Sequence, residues 1–250
     1  MSNKVLKIGV IGGQGPIASA IFVESIYHRY VQSSIDLSIS IPPKVYLISD
    51  PLNKPGGQIL TVDQCNTLLL TALKENIRYL ELLSPDFIVI CCLSAHALLP
   101  QLSIENRRSI LSLVDILIQE MIIRKKSYVL FSASTERQLK ILERHEKWDM
   151  IANQISFVSK KEQAEIDHVI CDVKNGMLHQ AVYARFEPIL MHYPHHEIIL
   201  GCSELHVIHR KLMQDSSSQT QFAIFDPFLK VIETILQPLF IHKNGLEDVA

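Results

Sequence analysis

Apolar and polar positions alternate along the chain in blocks that predict strands and helices in turn. Short continuous apolar runs are typical of strands buried on both faces, whereas apolar residues spaced three and four apart predict helices. Strands are predicted at 5–11, 44–49, 86–91, 110–113, 128–132, 156–158, 197–200 and 222–225. Helices are predicted at 16–31, 63–83, 115–124 and 135–148, as a pair within 161–191, and from 226 onward. This alternation favours an α/β fold with mostly parallel sheet flanked by helices.

Two short segments of similar sequence follow apolar strands in the two halves of the chain. The first, at 92–96, reads Cys-Leu-Ser-Ala-His, and the second, at 202–206, reads Cys-Ser-Glu-Leu-His. Each has a hydroxyl within two residues of the cysteine and a histidine four residues on. Ligand sites of open parallel sheets lie at the carboxyl ends of strands. Two lobes that face each other would therefore bring Cys92 and Cys202 to one cleft from opposite sides.

A pair of opposed thiols can invert a carbon centre without a cofactor. One thiolate removes the Cα proton, and the thiol on the other face delivers a new proton. A free cysteine has a pKa of about 8.5, and a helix that begins after each cysteine would lower this pKa through its dipole. His96 and His206 are candidates for tuning the two thiols. Cys65, Cys91 and Cys171 are interpreted instead as packing residues.

The first predicted strand ends in a glycine-rich turn, Gly-Gln-Gly-Pro-Ile-Ala at 13–18. This turn fits the dinucleotide-binding pattern, but no acidic residue ends a second strand about 20 residues later, as that pattern requires. We therefore expect the backbone N–H groups of Gly13, Gln14 and Gly15 to hold a substrate carboxylate at the helix N-terminus. Glu204 either orients the second site and binds the substrate ammonium, or caps the first helical turn.

Composition and charge disfavour several classes of function. The net charge is −2 and the 24 basic residues are scattered, which argues against a nucleic-acid partner. No apolar run reaches the roughly 18 residues that span a membrane, and the N-terminus lacks the apolar core of a secretory signal. Five cysteines without a C-x-x-C pair indicate free thiols in a cytoplasmic protein. The cluster of His192, His195 and His196 lacks matching carboxylates or thiols, so no metal is expected.

Several motifs, in the same order along nearly the whole chain, resemble those of one enzyme family. Residues 8–16 look like its opening strand and turn, and residues 131–135 look like a weakened Ala-Thr-x-Gly-Thr turn. Residues 92–96 resemble its first catalytic motif, Cys-Asn-Thr-Ala-His, and residues 201–205 its second, Gly-Cys-Thr-Glu with an apolar residue. Residues 224–227 are similar to the segment that opens its last helix. The resemblance is to the aspartate/glutamate racemase superfamily, and specifically to its aspartate racemase branch.

This resemblance implies two pseudo-symmetric α/β lobes, each a mostly parallel sheet flanked by helices, with the active site in the cleft between them. We expect the N-terminal lobe at 1–112, joined by a returning helix within 221–250, and the second lobe at 113–220. The resemblance also implies a homodimer, no pyridoxal phosphate or other cofactor, and a small amino-acid or dicarboxylate substrate. Cys92 and Cys202 would be the catalytic acid and base of an amino-acid racemase, with aspartate or other acidic amino acids as substrate.

The chain departs from the family pattern at positions that the resemblance assigns to the substrate. Leu93 replaces an asparagine that holds the substrate, while Ser94 and Ser203 replace threonines and keep the hydroxyl. The Asp-Arg pair that meets the distal carboxylate has no clear counterpart, and Lys54 could substitute for it as a point charge. Two alternatives stay open: a superfamily relative that isomerises or decarboxylates a small dicarboxylate, and a non-catalytic protein that binds a small metabolite. The predicted substrate-binding residues are Gly13, Gln14, Gly15, Lys54, Leu93, Ser94, Ser132, Thr135, Ser203 and Glu204.

Overall fold

Strands and helices alternate along the chain, as the hydrophobic pattern predicts. A computed structural model describes residues 5–33, 41–51, 62–178, 180–214 and 222–241, and the predicted substrate residue Lys54 lies outside these ranges. The strands are β1 (Lys7–Gly12), β2 (Lys44–Ser49), β3 (Phe87–Ile90), β4 (Ile110–Leu111), β5 (Tyr128–Phe131), β6 (Ile155–Phe157), β7 (Glu197–Leu200) and β8 (Ile224–Phe225).

Helices connect these strands and cover the faces of the sheets. The α-helices are α1 (Pro16–Ser33), α2 (Val62–Glu81), α3 (Ile104–Arg108), α4 (Leu113–Arg124), α5 (Ser134–Leu139), α6 (Lys160–Lys174), α7 (Gln180–Met191), α8 (Ser203–Gln214) and α9 (Pro227–Ile241). Within the described ranges, 3₁₀ helices span Ser94–Gln101 and Trp148–Met150. Among the described residues, no helix combines the length and apolar character needed to cross a bilayer.

The strands form two four-stranded parallel sheets with the same internal order. The first sheet has the order β2-β1-β3-β4 and the second has the order β6-β5-β7-β8, so every strand has a counterpart in the other sheet. β1 lies between β2 and β3, and this pairing aligns Val10 with Leu47 on one side and Val89 on the other. The repeated order confirms the two pseudo-symmetric α/β lobes that the sequence predicts.

A shared apolar core joins the two lobes. The largest cluster of buried side chains includes Ile8 of β1, Leu117 of α4 and Phe228 of α9. α9 packs on both α1 and α4, and α1 also packs on α8. The predicted boundaries placed 221–250 with the first lobe, and the structure differs at β8, which pairs with β7 in the second sheet. This pairing covers the outer edge of β7, which is buried along its whole length.

Local structure departs from the predictions where single residues end an element. The helix predicted at 135–148 ends at Leu139, because Lys140 adopts a left-handed conformation with a φ of 49°. The strand predicted at 110–113 is shorter, because the Ser112 side chain accepts a hydrogen bond from the Asp115 N–H and caps α4. The segment after Cys92 forms a 3₁₀ helix that contains Pro100, whereas an α-helix was expected there.

The buried carboxylate of Asp226 belongs to a hydrogen-bond network that connects three helices of the shared core. Asp226 Oδ2 lies 2.7 Å from Nδ1 of His206 and 3.0 Å from Nδ1 of His209, two residues of α8. The Oδ1 atom accepts hydrogen bonds from the backbone N–H groups of Phe228 and Leu229 at 3.0 and 3.3 Å, and so caps α9. Nε2 of His206 lies 3.1 Å from the Ser25 hydroxyl of α1. Burial would raise the pKa of Asp226, but the charges and hydrogen bonds of His206 and His209 hold it well below its usual range.

We expect Asp226→Asn to lower the free energy of unfolding by roughly 2–3 kcal/mol, because it removes a buried charge that accepts four hydrogen bonds. Thermal or denaturant unfolding monitored by circular dichroism measures this change. Asp172→Asn is the matched control, since Asp172 bonds the largely exposed Arg185 at 3.1 Å. The control should change stability by less than about 1 kcal/mol. Equal effects of the two substitutions would contradict a special role for Asp226.

Candidate active site

Cys92 and Cys202 follow equivalent strands of the two lobes. Cys92 comes two residues after the end of β3, and Cys202 comes two residues after the end of β7. β3 and β7 occupy the same place in the order of their sheets. The carboxyl ends of parallel strands meet at one edge of a sheet, so both thiols lie at the edge where α/β folds place their chemistry.

The same three charged side chains influence both thiols. Burial raises the pKa of Cys92 to about 11, with a further increase from the charge of Glu136 and smaller effects of Glu204 and Lys174. Burial also raises the pKa of Cys202 well above its usual value, and Glu204 and Glu136 raise it further while Lys174 lowers it. The sequence prediction that a helix dipole lowers these pKa values is wrong for the resting protein. Loss of hydration and the charges of Glu136 and Glu204 outweigh the effect of Lys174.

Glu204 is bonded directly to one of the two thiols. The Cys202 Sγ–H donates to Glu204 Oε2 at 2.8 Å, and the Ser203 hydroxyl donates to the same oxygen at 3.1 Å. The Glu204 residue is only 2% exposed, and its Oε1 atom lies 4.0 Å from Nζ of Lys174. Ser203 was predicted to bind substrate, but its hydroxyl is hydrogen-bonded to the carboxylate beside the thiol. Of the two sequence interpretations of Glu204, the geometry favours the one in which it orients the second site.

The glycine-rich turn of the first lobe packs against Glu204. A Cβ atom on Gly15 would lie 2.1 Å from Glu204 Oε1, so any larger residue here would displace the Glu204 side chain. Gly13 has a φ of 101°, and a Cβ there would lie 2.3 Å from backbone atoms of Asp50. The Gly13 N–H donates to the Ser19 hydroxyl at 3.1 Å, which differs from its expected role in holding a carboxylate. The glycines of this turn therefore allow the two lobes to pack closely against each other.

A narrow pocket opens beside Cys92. It has a volume of about 10 Å³, room for about one water molecule, and Gln14, Asp50 and Asn76 line it together with apolar side chains. The Asn76 side-chain amide donates to Asp50 Oδ2 at 3.2 Å. The pocket thus brings Gln14, which was predicted to contact substrate, next to the first thiol. Asp50 and Asn76 were not among the predicted site residues.

Glu136 links the two lobes at the site and was missed by the sequence analysis. It lies in the first turn of α5, after the end of β5, and its Oε1 atom accepts a hydrogen bond from the Ser94 hydroxyl of the first lobe. The residue is 6% exposed, and burial raises its pKa to about 7, although the Ser94 hydrogen bond opposes this increase. Its position directly after the motif at 131–135 was the signal that could have identified it.

Lys174, at the end of α6, was also missed. Burial lowers its pKa, but the charges of Glu204, of both cysteines and of Glu136 outweigh burial and raise it. Lys174 is therefore a cation that faces the acidic groups of the site. Its position 28 residues before the second cysteine motif carries no recognisable pattern, so only the fold reveals it.

The predicted tuning histidines bond to groups other than sulfur. His96 Nε2 accepts from the Leu113 N–H at 3.1 Å, so its Nδ1 carries the proton and donates to the Cys92 carbonyl at 2.9 Å. Burial lowers the pKa of His96 to about 4, and the ring is neutral. His206 bonds Asp226 and the Ser25 hydroxyl. The geometry gives both rings a positioning role, with His96 fixing the backbone of Cys92.

Two further predicted residues are buried, and a third is exposed. Leu93 is 3% exposed and belongs to the largest apolar cluster, which differs from its predicted contact with substrate. The Ser132 hydroxyl is buried and donates to the Ala133 carbonyl at 3.4 Å. Thr135 lies exposed in the first turn of α5. The described residues contain no group of three histidine, cysteine or acidic side chains arranged to hold a metal ion.

Solved racemase structures share this fold. The aspartate racemase of Picrophilus torridus matches with a TM-score of 0.69 and 18% identity over 94% of each chain. Glutamate racemase of Francisella tularensis, in complex with D-glutamate, matches with a TM-score of 0.57 and 14% identity over 95% of this chain and 82% of that chain. The allantoin racemase of Klebsiella pneumoniae matches with a TM-score of 0.57 and 11% identity over 95% of this chain and 89% of that chain. These structures confirm the predicted two-lobe α/β fold.

The likeness is one of structure, since no family model and no curated protein matches the sequence.

We expect Cys92 and Cys202 to react slowly with iodoacetamide at pH 7.5 in the ligand-free protein. A pKa of about 11 in place of 9.0 lowers the thiolate fraction of Cys92 by on the order of 100-fold. The exposed Cys171 should be alkylated first. Peptide mass spectrometry over a time course measures the three rates. Faster modification of Cys92 or Cys202 than of Cys171 would show that the resting thiols are activated after all.

We expect Glu136→Gln to stabilise the protein at pH 8 by on the order of 3 kcal/mol and to change little near pH 5. Burial raises the folded-state pKa from 4.5 to about 7. The folded protein therefore binds this proton more tightly than the unfolded chain, and wild-type stability falls as the pH rises from about 4.5 to 7. Glutamine does not ionise, so the free energy of unfolding of the variant does not fall in this pH range. Unfolding curves across pH 5–8 test the difference.

Glu162→Gln is a control of opposite sign. Burial alone would raise the pKa of Glu162, but hydrogen bonds from Ser159, His192 and Tyr193 lower it to about 2. Its contribution to stability is present above the ordinary pKa and is lost as the pH falls toward 2. This variant should be less stable than wild type at pH 8. If Glu136→Gln were destabilised equally at pH 5 and pH 8, the buried-carboxylate interpretation would be wrong.

Proposed function

We propose that the chain is a cofactor-independent amino-acid racemase in which Cys92 and Cys202 act as acid and base on opposite faces of Cα. The observation that carries this proposal is that the two thiols follow equivalent strands and are influenced by the same three charged groups, Glu136, Glu204 and Lys174. The solved structures that share the fold include racemases of aspartate, glutamate and allantoin. Aspartate and glutamate are therefore the first substrates to test.

Glu204 is the proton acceptor for the Cys202 thiol. The Sγ–H already donates to Glu204 Oε2, so transfer along this hydrogen bond leaves a thiolate and a neutral carboxyl group. The thiolate then removes the Cα proton, and the Cys92 thiol donates its proton to the other face. Cys92 afterwards regains a proton and Glu204 releases one, which restores the starting state. In the reverse direction Cys92 is the base, and Glu136 is the acidic group that raises its pKa most.

The raised pKa values of both thiols fit a site that is completed by its substrate. The α-ammonium of an amino acid brings a positive charge to the acidic cluster, and a positive charge lowers the pKa of a neighbouring thiol. Binding of the substrate thus promotes the thiolate in the place where it is needed. A buried site also strengthens every electrostatic contact to the developing carbanion, because water is excluded.

Incubation with single amino acids in deuterated water tests the proposal. We expect deuterium at Cα and accumulation of the opposite enantiomer, without added pyridoxal phosphate or metal. Proton NMR and chiral chromatography measure the two changes. A substrate that isomerised a double bond or released carbon dioxide would favour the dicarboxylate alternative. Absence of any turnover across acidic, neutral and basic amino acids would remove the racemase proposal.

Single cysteine variants separate the roles of the two thiols. Cys92→Ala and Cys202→Ala should each reduce racemisation by at least roughly 100-fold, because one face of Cα loses its acid or base. Each variant should retain slow deuterium exchange with only one enantiomer, and the two variants should differ in which one. Cys171→Ala, at an exposed position, is the matched control and should behave as wild type. Loss of exchange with the same enantiomer in both variants would exclude opposed thiols.

A further inference from the structure

A second and much larger pocket lies against the 3₁₀ helix that follows Cys92. It has a volume of about 450 Å³, which is in the range typical of small-molecule sites. Ala97, Leu99 and Pro100 of the 3₁₀ helix line this pocket, whereas Ala95 lines the small pocket beside Cys92. The two pockets share no described lining residue, so the larger one is separate from the candidate active site.

The larger pocket, called the basic pocket below, is lined by arginines from two parts of the chain. Arg107 and Arg108 belong to α3, and Arg144 follows α5. Within the part of the chain that the structure describes, no hydrogen bond or ion pair joins these guanidinium groups to another side chain. A guanidinium group donates several hydrogen bonds in a fixed geometry that matches a carboxylate or a phosphate. All three arginines are therefore available to a ligand.

Negative charge in the basic pocket does not balance these arginines. Among the described lining residues, the carboxylate is that of Asp115, whose Oδ1 atom lies 3.0 Å from Nε2 of His145. Nδ1 of His145 accepts a backbone N–H at 3.1 Å, so Nε2 carries a proton and donates it to Asp115. The neighbouring Glu105, Glu143 and Glu146 are not lining residues. Three positive charges thus face one carboxylate that is already bonded, and this balance attracts an anion.

The rest of the basic pocket has an apolar wall. Leu99, Val114 and Ile141 belong to it, and so does Ile104 of α3. The Ile104 residue is 66% exposed, so a large apolar side chain at the pocket is open to solvent. Arg107 and Arg108 lie three and four residues after Ile104, on the same face of the helical turn. A ligand on this face meets apolar and cationic groups together.

We propose that the basic pocket binds a small amphipathic anion, in which a carboxylate, phosphate or sulfonate is attached to an apolar ring or chain. The anionic group binds to Arg107, Arg108 and Arg144, and the apolar body packs on Ile104 and the adjoining wall. The described lining contains no thiol, and both ring nitrogens of its histidines are hydrogen-bonded to protein groups. The occupant is therefore held without being transformed. This site does not depend on the proposed racemase activity, because its binding is measured without turnover.

Two fluorescent probes with the same aromatic rings test the need for an anion. 8-Anilinonaphthalene-1-sulfonate carries a sulfonate, and N-phenyl-1-naphthylamine is its uncharged counterpart. Fluorescence titration of the full chain should show saturable binding of the sulfonate, with a dissociation constant at least about threefold lower than that of the neutral probe. Phenyl phosphate should displace the sulfonate at concentrations at least about threefold lower than inorganic phosphate, which lacks an apolar body. Absence of saturable binding, equal affinity for the neutral probe, or equal displacement by inorganic phosphate overturns the proposal.

Variants of exposed residues assign the probe to the basic pocket. The double variant Arg107→Gln/Arg144→Gln removes one cation from each of its two basic segments and should raise the dissociation constant of the sulfonate at least about tenfold. Ile104→Ser should raise it at least about threefold, because apolar contact area is lost. All three residues are exposed, so we expect the circular dichroism spectrum and the thermal midpoint to stay as in the wild type. Unchanged affinity in the double variant overturns the proposal.

Two control variants separate the basic pocket from other cations of the chain. Arg185→Gln changes an exposed arginine of α7 that bonds Asp172, and Lys174→Gln changes the lysine of the candidate active site. Both controls should keep the wild-type dissociation constant of the sulfonate. A loss of affinity in Lys174→Gln as large as that in the double variant would place the probe at the candidate active site, and a similar loss in Arg185→Gln would indicate attraction by overall charge. Either result overturns the proposal.

Discussion

The close approach of Gly15 to the carboxylate of Glu204 is the constraint on which the candidate site depends. A Cβ at position 15 would lie 2.1 Å from Glu204 Oε1, so the absence of a side chain lets a turn of the first lobe touch a carboxylate of the second. The same carboxylate accepts the hydrogen bond of the Cys202 thiol. The Glu204 side chain therefore takes part both in the contact between the lobes and in the hydrogen bond with the Cys202 thiol. The Ser94–Glu136 hydrogen bond repeats this arrangement beside the first thiol.

These two carboxylates explain why the resting thiols are protonated even though each follows a strand end suited to catalysis. A helix start and one lysine favour thiolates, but burial and two negative charges oppose them more strongly. In the reaction we propose, the thiols are therefore activated by the positive charge that the substrate brings. Coupling of this kind protects a reactive sulfur from modification until a ligand is bound. It also makes the charge of the ligand a determinant of both binding and chemistry.

Much of the fold could be predicted because hydrophobic periodicity is a local property. The strands at 44–49 and 197–200 have the predicted bounds, because each is a short apolar run ended by polar or turn-forming residues. Helix ends were predicted less well where one backbone conformation decides the outcome, as at Lys140. The cysteines were recognisable because each stands in a repeated local pattern. Glu136 and Lys174 were not, because their importance comes from neighbours distant in the chain.

Hydrophobic pattern and motif spacing thus define two α/β halves and nominate Cys92 and Cys202, since both kinds of information lie within short windows of sequence. Folding determines which charges surround those thiols, which glutamate bonds the sulfur, and where Leu93 points. Leu93 shows the difference well: it occupies a position that the motif assigns to the substrate, yet its side chain is buried in the apolar core. Side-chain environment and pKa depend on burial and on long-range contacts, and these arise only when both lobes are packed together.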